Sequence, residues 1–143
     1  MRVTLDTNVL FQALHSKRGA SFAILNRVRH GNLEPALSVP VFKEYEDVLT
    51  RRTSLSTFGL TIHEVRKILD FIVMVAFPVD IHFSMRPNLR DEDDNKCVDL
   101  AFASQSRFLV TQNVRDFKAP ELKFDSFSVI TPSDFVDTKQ VRA

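Results

Sequence analysis

The chain has 143 residues, 44% hydrophobic and 26% charged, with a formal net charge of +1, which suits one soluble domain with a sizeable core. The single cysteine, Cys97, excludes an intrachain disulfide and a cysteine-based zinc cluster and suits a reducing, cytoplasmic setting. No apolar run is long enough to span a membrane. The 13 phenylalanines, with no tryptophan beside them, are scattered as core filling rather than grouped as a base-stacking platform.

In chain order, "RVTL" (2–5) reads as a strand and is followed by a helix from Asn8 to Leu14. A second helix runs through "SFAILNRVRHG", with Ser21 as its N-cap and Gly31 as its stop. "PALSV" (35–39) is a short strand, and "VFKEYEDVLTRR" (41–52) is a helix with Pro40 near its first turn. The cleanest helical pattern is 61–77: Ile62, Val65, Ile68, Leu69, Ile72 and Val75 recur at three and four, and Thr61 with Glu64 forms a capping box. "PVDIHF" reads as a strand and is followed by a polar loop from Ser84 to Asp93, then by a helix over "NKCVDLAFASQS". "FLVT" (108–111) and "FSVI" (127–130) are the last strands, and Thr131, Pro132 and Asp134 open a terminal helix.

Strands separated by helices favour a parallel α/β sheet with helices on both faces. Three glycines in the chain argue against a hairpin-rich β protein. In such sheets the working residues gather beyond the carboxyl ends of the strands. Basic residues fall in small groups, among them Lys17 with Arg18 and Arg27 with Arg29 and His30. Each reads as a solvated face; phosphate contacts are permitted there but not indicated.

Asp6 directly follows the first strand, where an aspartate also serves as an Asx turn or helix N-cap. Asn8 offers a second capping side chain. Glu44 is more telling, because it lies three residues after Val41 and four before Val48, on the apolar face with Tyr45 and Leu49. A carboxylate there costs free energy unless it is paired or binds a cation. The run Asp91, Glu92, Asp93, Asp94 precedes a helix and suits its dipole. Within that run Asp94 heads the stripe of Cys97, Val98 and Ala101, and Asp91 is the next candidate; Asp99 points elsewhere. Past the fourth strand come Thr111, Asn113 and Asp116, which would sit on the same sheet edge as Asp6. Asp6, Glu44, Asp94 and Asp116 are therefore expected to converge. Clustered carboxylates repel unless a cation neutralises them, and oxygen-only ligands select a hard ion, Mg²⁺ or Mn²⁺, over zinc. Metal-dependent phosphodiester hydrolysis is the chemistry that follows.

The stretches "LDTNVL" (5–10), "VFKEYEDVL" (41–49), "RDEDDNKCVDLAFA" (90–103) and "FLVTQNVRDF" (108–117) resemble, in order and spacing, the four motifs of PIN-domain ribonucleases. "VITPSDFV" (129–136) is similar to the closing strand and helix of the subgroup related to VapC-type toxins. The resemblance implies one PIN-like, Rossmann-like domain over 1–143, binding Mg²⁺ or Mn²⁺ and cutting single-stranded RNA. By position, Asp6, Glu44 and Asp94 would be the principal metal ligands and Asp116 the fourth acid. Asp91 remains the alternative to Asp94. Asn8 and Thr111 would orient the carboxylates. Asn113 would stand beside them where many relatives carry an acid, a departure that bears on a second metal. The resemblance also implies a cognate antitoxin and a homodimer.

Two other readings start from the same acids. A receiver or a haloacid-dehalogenase-like phosphatase also places an aspartate after its first strand. The former needs a lysine after a late strand and the latter a second aspartate two residues on; "VTQNVRDF" and Asn8 supply neither, and Glu44 has no role in them. A catalytically silent PIN fold that binds RNA or protein would be expected to have lost acids, and all four principal positions are acidic.

Overall fold

A computed structural model describes residues 1–81, 92–117 (92–94 as backbone only) and 126–138. Strand β1 is Arg2–Leu5 and helix α1 is Thr7–His15, with Asp6 as the N-cap between them. Helix α2, Ala20–Arg29, is capped by Gly19; Ser21 lies inside the helix and is buried. Gly31 adopts the left-handed φ of 78° that a stop after this helix requires.

Strand β2 is Glu34–Leu37, and helix α3 is Val39–Leu49, capped by Ser38 with Pro40 in its first turn. The helix expected over 41–52 therefore starts earlier and stops earlier. Its end is closed by hydroxyls: Thr50 Oγ1 donates to the Glu46 carbonyl at 2.6 Å and Ser54 Oγ to that of Val48 at 2.6 Å. A separate helix α4, Arg52–Phe58, follows and ends at left-handed Gly59.

Helix α5, Ile62–Val75, carries the expected capping box. The Thr61 amide and hydroxyl hold the Glu64 carboxyl below its usual range. Val65, Leu69 and Ile72 are its buried stripe, whereas Ile62, in the first turn, stays 38% exposed. Strand β3, Phe77–Pro78, begins one residue before the stretch expected to be a strand and stops at Pro78; Val79, Asp80 and Ile81 are not strand, and 82 and 83 lie outside the described residues.

Helix α6 is Glu92–Ala103, so the acids at 92–94 form its first turn rather than a preceding loop. Strand β4, Phe108–Val110, leads into a 3₁₀ turn at Val114–Phe117. Strand β5, Ser128–Ile130, and helix α7, Pro132–Val136, complete the described chain. Thr131 caps α7 as its sequence predicts.

The five strands are parallel, in the order β3-β2-β1-β4-β5. β1 is central, and Val3, Thr4 and Leu5 pair with Phe108, Leu109 and Val110. Alternation sorts these residues onto two faces. Phe108 packs edge-on against Phe135 of α7, while Leu109 joins Cys97, Val98 and Ala101 of α6 in a separate cluster. Helices thus cover both faces, α7 on one side and α6 on the other.

Candidate active site

The same alternation decides where the acids go. Asp6 is two residues beyond Thr4, and Thr111 two beyond Leu109, so both turn toward the α6 face of the sheet. The parallel ladder continues one step past the strands, with the Asp6 amide donating to the Val110 carbonyl at 2.9 Å. Asp6 and Thr111 are therefore side by side at the carboxyl end of the two central strands.

Asp6 is buried, 8% exposed, and its oxygens accept from at least four donors. Oδ1 accepts from the Thr7 amide at 2.7 Å and from Cys97 Sγ at 3.8 Å. Oδ2 accepts from Thr111 Oγ1 at 2.8 Å and from Asn8 Nδ2 at 3.3 Å. The capping role open to Asp6 is thus real, but it occupies only one oxygen. Asn8 does not cap. It sits inside α1 and bridges, donating also to Thr111 Oγ1 at 3.3 Å and accepting from the Gln112 amide at 3.1 Å. The Asn113 amide donates to Thr111 Oγ1 at 3.1 Å, so Asn113 serves through its backbone. Gln112 in turn donates through Nε2 to Ser21 Oγ at 3.3 Å, tying the start of α2 to this edge.

Tyr45 closes the floor. It is buried on α3, and its hydroxyl donates to the carbonyl of Leu5, the residue before Asp6. Burial pushes its pKa well above the usual phenol value, and nearby Cys97 and Asp6 push the same way, so it remains a neutral donor. Glu44 precedes it on α3 and is half-buried, at the margin of the stripe formed by Val41, Tyr45 and Leu49. The turn of α3 that carries Glu44 therefore abuts the end of β1.

Asp116 lies in the 3₁₀ turn past β4, exposed, with its amide donating to the Asn113 carbonyl at 3.0 Å. The backbone at position 94 is in the first turn of α6, three residues before Cys97. The Asp94 side chain and all of Asp91 lie outside the described residues.

Tyr45 and Cys97 stand beside Asp6 and lie beyond the residues that the sequence predicts for the site. A tyrosine on an apolar stripe needs a partner for its hydroxyl, and that was the available signal for Tyr45. Cys97 was recognised as part of the buried stripe of α6, but its contact with Asp6 depends on how α6 lies across β1.

An ionised carboxylate offers about four acceptor sites, and the bonds to Asp6 include two short ones and two long ones. The short bonds, from Thr7 and Thr111, set its plane; the long ones, from Asn8 and Cys97, are those a cation would replace. An oxygen donor held this way fits a hard divalent ion. Among the described residues no three His, Cys, Asp or Glu side chains form a complete ion site.

A model of the PIN domain family matches residues 2–115, a span that includes Asp6, Glu44, the 91–94 acids, Thr111 and Asn113. No curated protein matches the sequence. Among solved structures, the fold is similar to a chain in the crystal structure of VapBC2 from Rickettsia felis bound to a DNA fragment from their promoter. That chain superposes with a TM-score of 0.58 at 16% identity, over 92% of this chain and 98% of the other. The likeness is one of fold. Among the described residues no helix is long and apolar enough to cross a membrane.

Proposed function

The chain belongs to the PIN domain family, and on that premise we propose that it is a metal-dependent endoribonuclease acting on single-stranded RNA, the toxin of a toxin–antitoxin pair. One observation carries the reading. Asp6, at the carboxyl end of the central strand, is a buried carboxylate oriented by Thr7, Asn8, Thr111 and Cys97 and backed by Tyr45.

Asp6 and Glu44 would hold the ion with Asp94, or with Asp91 in its place. Bound Mg²⁺ or Mn²⁺ would supply charge neutralisation and an activated water for attack on the phosphodiester. The chain's own residues do the positioning. Thr111 sets the plane of the Asp6 carboxylate, and the Asn113 amide keeps the Thr111 hydroxyl aimed at it. Asn8 joins the ends of β1 and β4 from above. Asp116, exposed at the same edge, is available to a second ion or to a water at the rim.

VapBC2 is a complex, and its likeness to this chain supports a cognate antitoxin as partner. A groove of about 590 Å³ between α1, α2, α4 and α5 supports the same reading. It has an apolar floor that includes Phe22, Phe58 and Phe71, and Lys17, Arg29 and Lys67 at its margin. A segment with apolar and acidic side chains matches that lining, and self-association into a homodimer belongs to the same reading.

The test is cleavage of a labelled single-stranded RNA with Mg²⁺, with Mn²⁺ and with EDTA, beside Asp6→Asn prepared identically. Metal-dependent cleavage that vanishes in the variant is expected. Equal cleavage by both proteins would overturn the assignment of Asp6.

A further inference from the structure

Four of the described arginines are engaged by neighbours. Arg2, Arg51 and Arg66 pair with Glu34, Asp47 and Glu46, and Arg29 donates to Asn26 Oδ1. Arg18 and Arg115 differ: both are exposed, and among the described residues neither makes an ion pair.

What these two share is their place. Arg115 lies in the turn that follows β4 at the carboxyl edge of the sheet. Buried Phe117 and the Asp116 amide, which donates to the Asn113 carbonyl at 3.0 Å, fix that turn. Arg18 lies in the loop between α1 and α2, where its own amide donates to Ser16 Oγ at 3.4 Å. The two segments are far apart in sequence and meet through the bond from Gln112 Nε2 to Ser21 Oγ at 3.3 Å. Arg18 is three residues before Ser21 and Arg115 three after Gln112, so both cations border that junction.

The junction is one end of a polar ridge whose other end is the acid centre. Asp6 Oδ2 accepts from Asn8 Nδ2 at 3.3 Å, Asn8 Oδ1 accepts from the Gln112 amide at 3.1 Å, and Gln112 reaches Ser21. Every member past Asp6 is neutral. The sequence permits phosphate contacts at Arg18 without indicating them; the fold sets that side chain beside the working edge. A strand of RNA needs cations there. An ion at Asp6 would neutralise only the phosphate it holds, and the next phosphates would face Asp6, Glu44 and Asp116 unopposed. Fixed cations beside the centre offset that repulsion and set the register of the strand.

Building on the ribonuclease reading, we propose that single-stranded RNA leaves the Asp6 centre across β4 toward the start of α2. It runs over the Asn8–Gln112–Ser21 ridge, with Arg115 and Arg18 each holding one backbone phosphate. Arginine suits the role because its planar fork bonds a phosphate through two N–H groups. Such contacts read no base; they place the scissile bond rather than select it.

Fluorescence anisotropy of a labelled oligouridylate with the full chain in EDTA, over a series of KCl concentrations, tests this apart from cleavage. Arg18→Ala and Arg115→Ala should each weaken binding about three- to tenfold and reduce the slope of log affinity against log salt by about 0.7. Circular dichroism should not change. The control is Arg107→Ala, which removes the same charge just before β4, at the opposite edge of the sheet, and should bind as the wild type does. With Mg²⁺ or Mn²⁺ present, the Arg18 and Arg115 variants should raise KM and leave kcat within about twofold. Full affinity in the double variant would overturn the proposal and leave the two arginines to an acidic protein partner. Equal losses in all three single variants would overturn it too, since attraction would then follow net charge alone. Absence of RNA binding by the wild type would do the same. Binding that depends on both arginines, without cleavage in either ion, would count against the ribonuclease reading alone.

Discussion

At the amino end of β1, Arg2 is met by groups that balance or spread its charge. Nε pairs with Glu34 at 2.9 Å, Nη1 donates to the Ser104 carbonyl at 2.8 Å, and the guanidinium lies 3.4 Å from the centre of the Phe77 ring. At the carboxyl end Asp6 is more deeply buried, and Thr7, Asn8, Thr111 and Cys97, all neutral, are among the groups that donate to it. Both ends are polar and both are well bonded. A charge matched by an opposite charge ties strands together; dipoles around a carboxylate fix the direction in which it offers its oxygens. Polar density therefore does not distinguish a working edge from a structural one, but the kind of partner does.

Substitutions at the two ends separate these roles. Glu44→Gln keeps the shape of α3 and removes a charge from the acidic edge, and cleavage should fall by about a thousandfold, roughly 4 kcal/mol of barrier. Initial rates on a labelled RNA, with circular dichroism as the fold control, measure it. Thr111→Val should weaken Mn²⁺ binding by about 10- to 100-fold, as expected for a residue that orients a ligand. Calorimetric titration reads that change. It should also destabilise the protein by about 1–3 kcal/mol, because the Asn113 amide loses its acceptor.

Arg2→Met supplies the opposite case. Arg2 and Glu34 are partly exposed, 28% and 45%, so the pair contributes about 1 kcal/mol or less. Urea unfolding should move slightly while cleavage stays at the wild-type rate. A large loss of cleavage in Arg2→Met would erase the distinction between the two ends.

The smallest effect is confined to alkali. Tyr45 is the only tyrosine and the chain has no tryptophan, so its ultraviolet titration reports one residue. Its pKa in the fold is raised above the ordinary 10.0. The neutral phenol is favoured by folding, and that stability is complete below pH 10, then lost as pH rises through the folded value. The native protein should ionise later than the urea-unfolded one. Coincident curves would show Tyr45 open to solvent, away from the Leu5 carbonyl.

Much of this arrangement could be read in the sequence because it rests on local rules. β1 ends where "RVTL" ends, and Thr61 with Glu64 makes the box its spacing requires. Asp6 and Thr111 stand at strand ends whose parallel register follows from the alternation of strands and helices. The features that escaped depend on particular side-chain contacts, some of them distant in sequence. α3 stops at Leu49 because Ser54, six residues after Val48, returns to that residue's carbonyl. Asn8, a candidate cap and by resemblance an orienting residue, reaches Thr111 and Gln112, more than a hundred residues away, while the capping place is taken by Asp6. Cys97 of α6 reaches Asp6 Oδ1 at 3.8 Å across the sheet edge. Helical spacing within α6 does not reveal how closely α3 and β1 pack against it.

The most direct test of the central claim is a titration of Mn²⁺ into the wild type and into Asp6→Asn, followed by calorimetry. Asparagine caps a helix as well as aspartate does, so α1 and the fold should survive while the charge is gone. The account predicts saturable binding in the wild type and its loss in a variant of unchanged melting temperature. Equal binding by both proteins would contradict it and leave Asp6 as the cap of α1 alone.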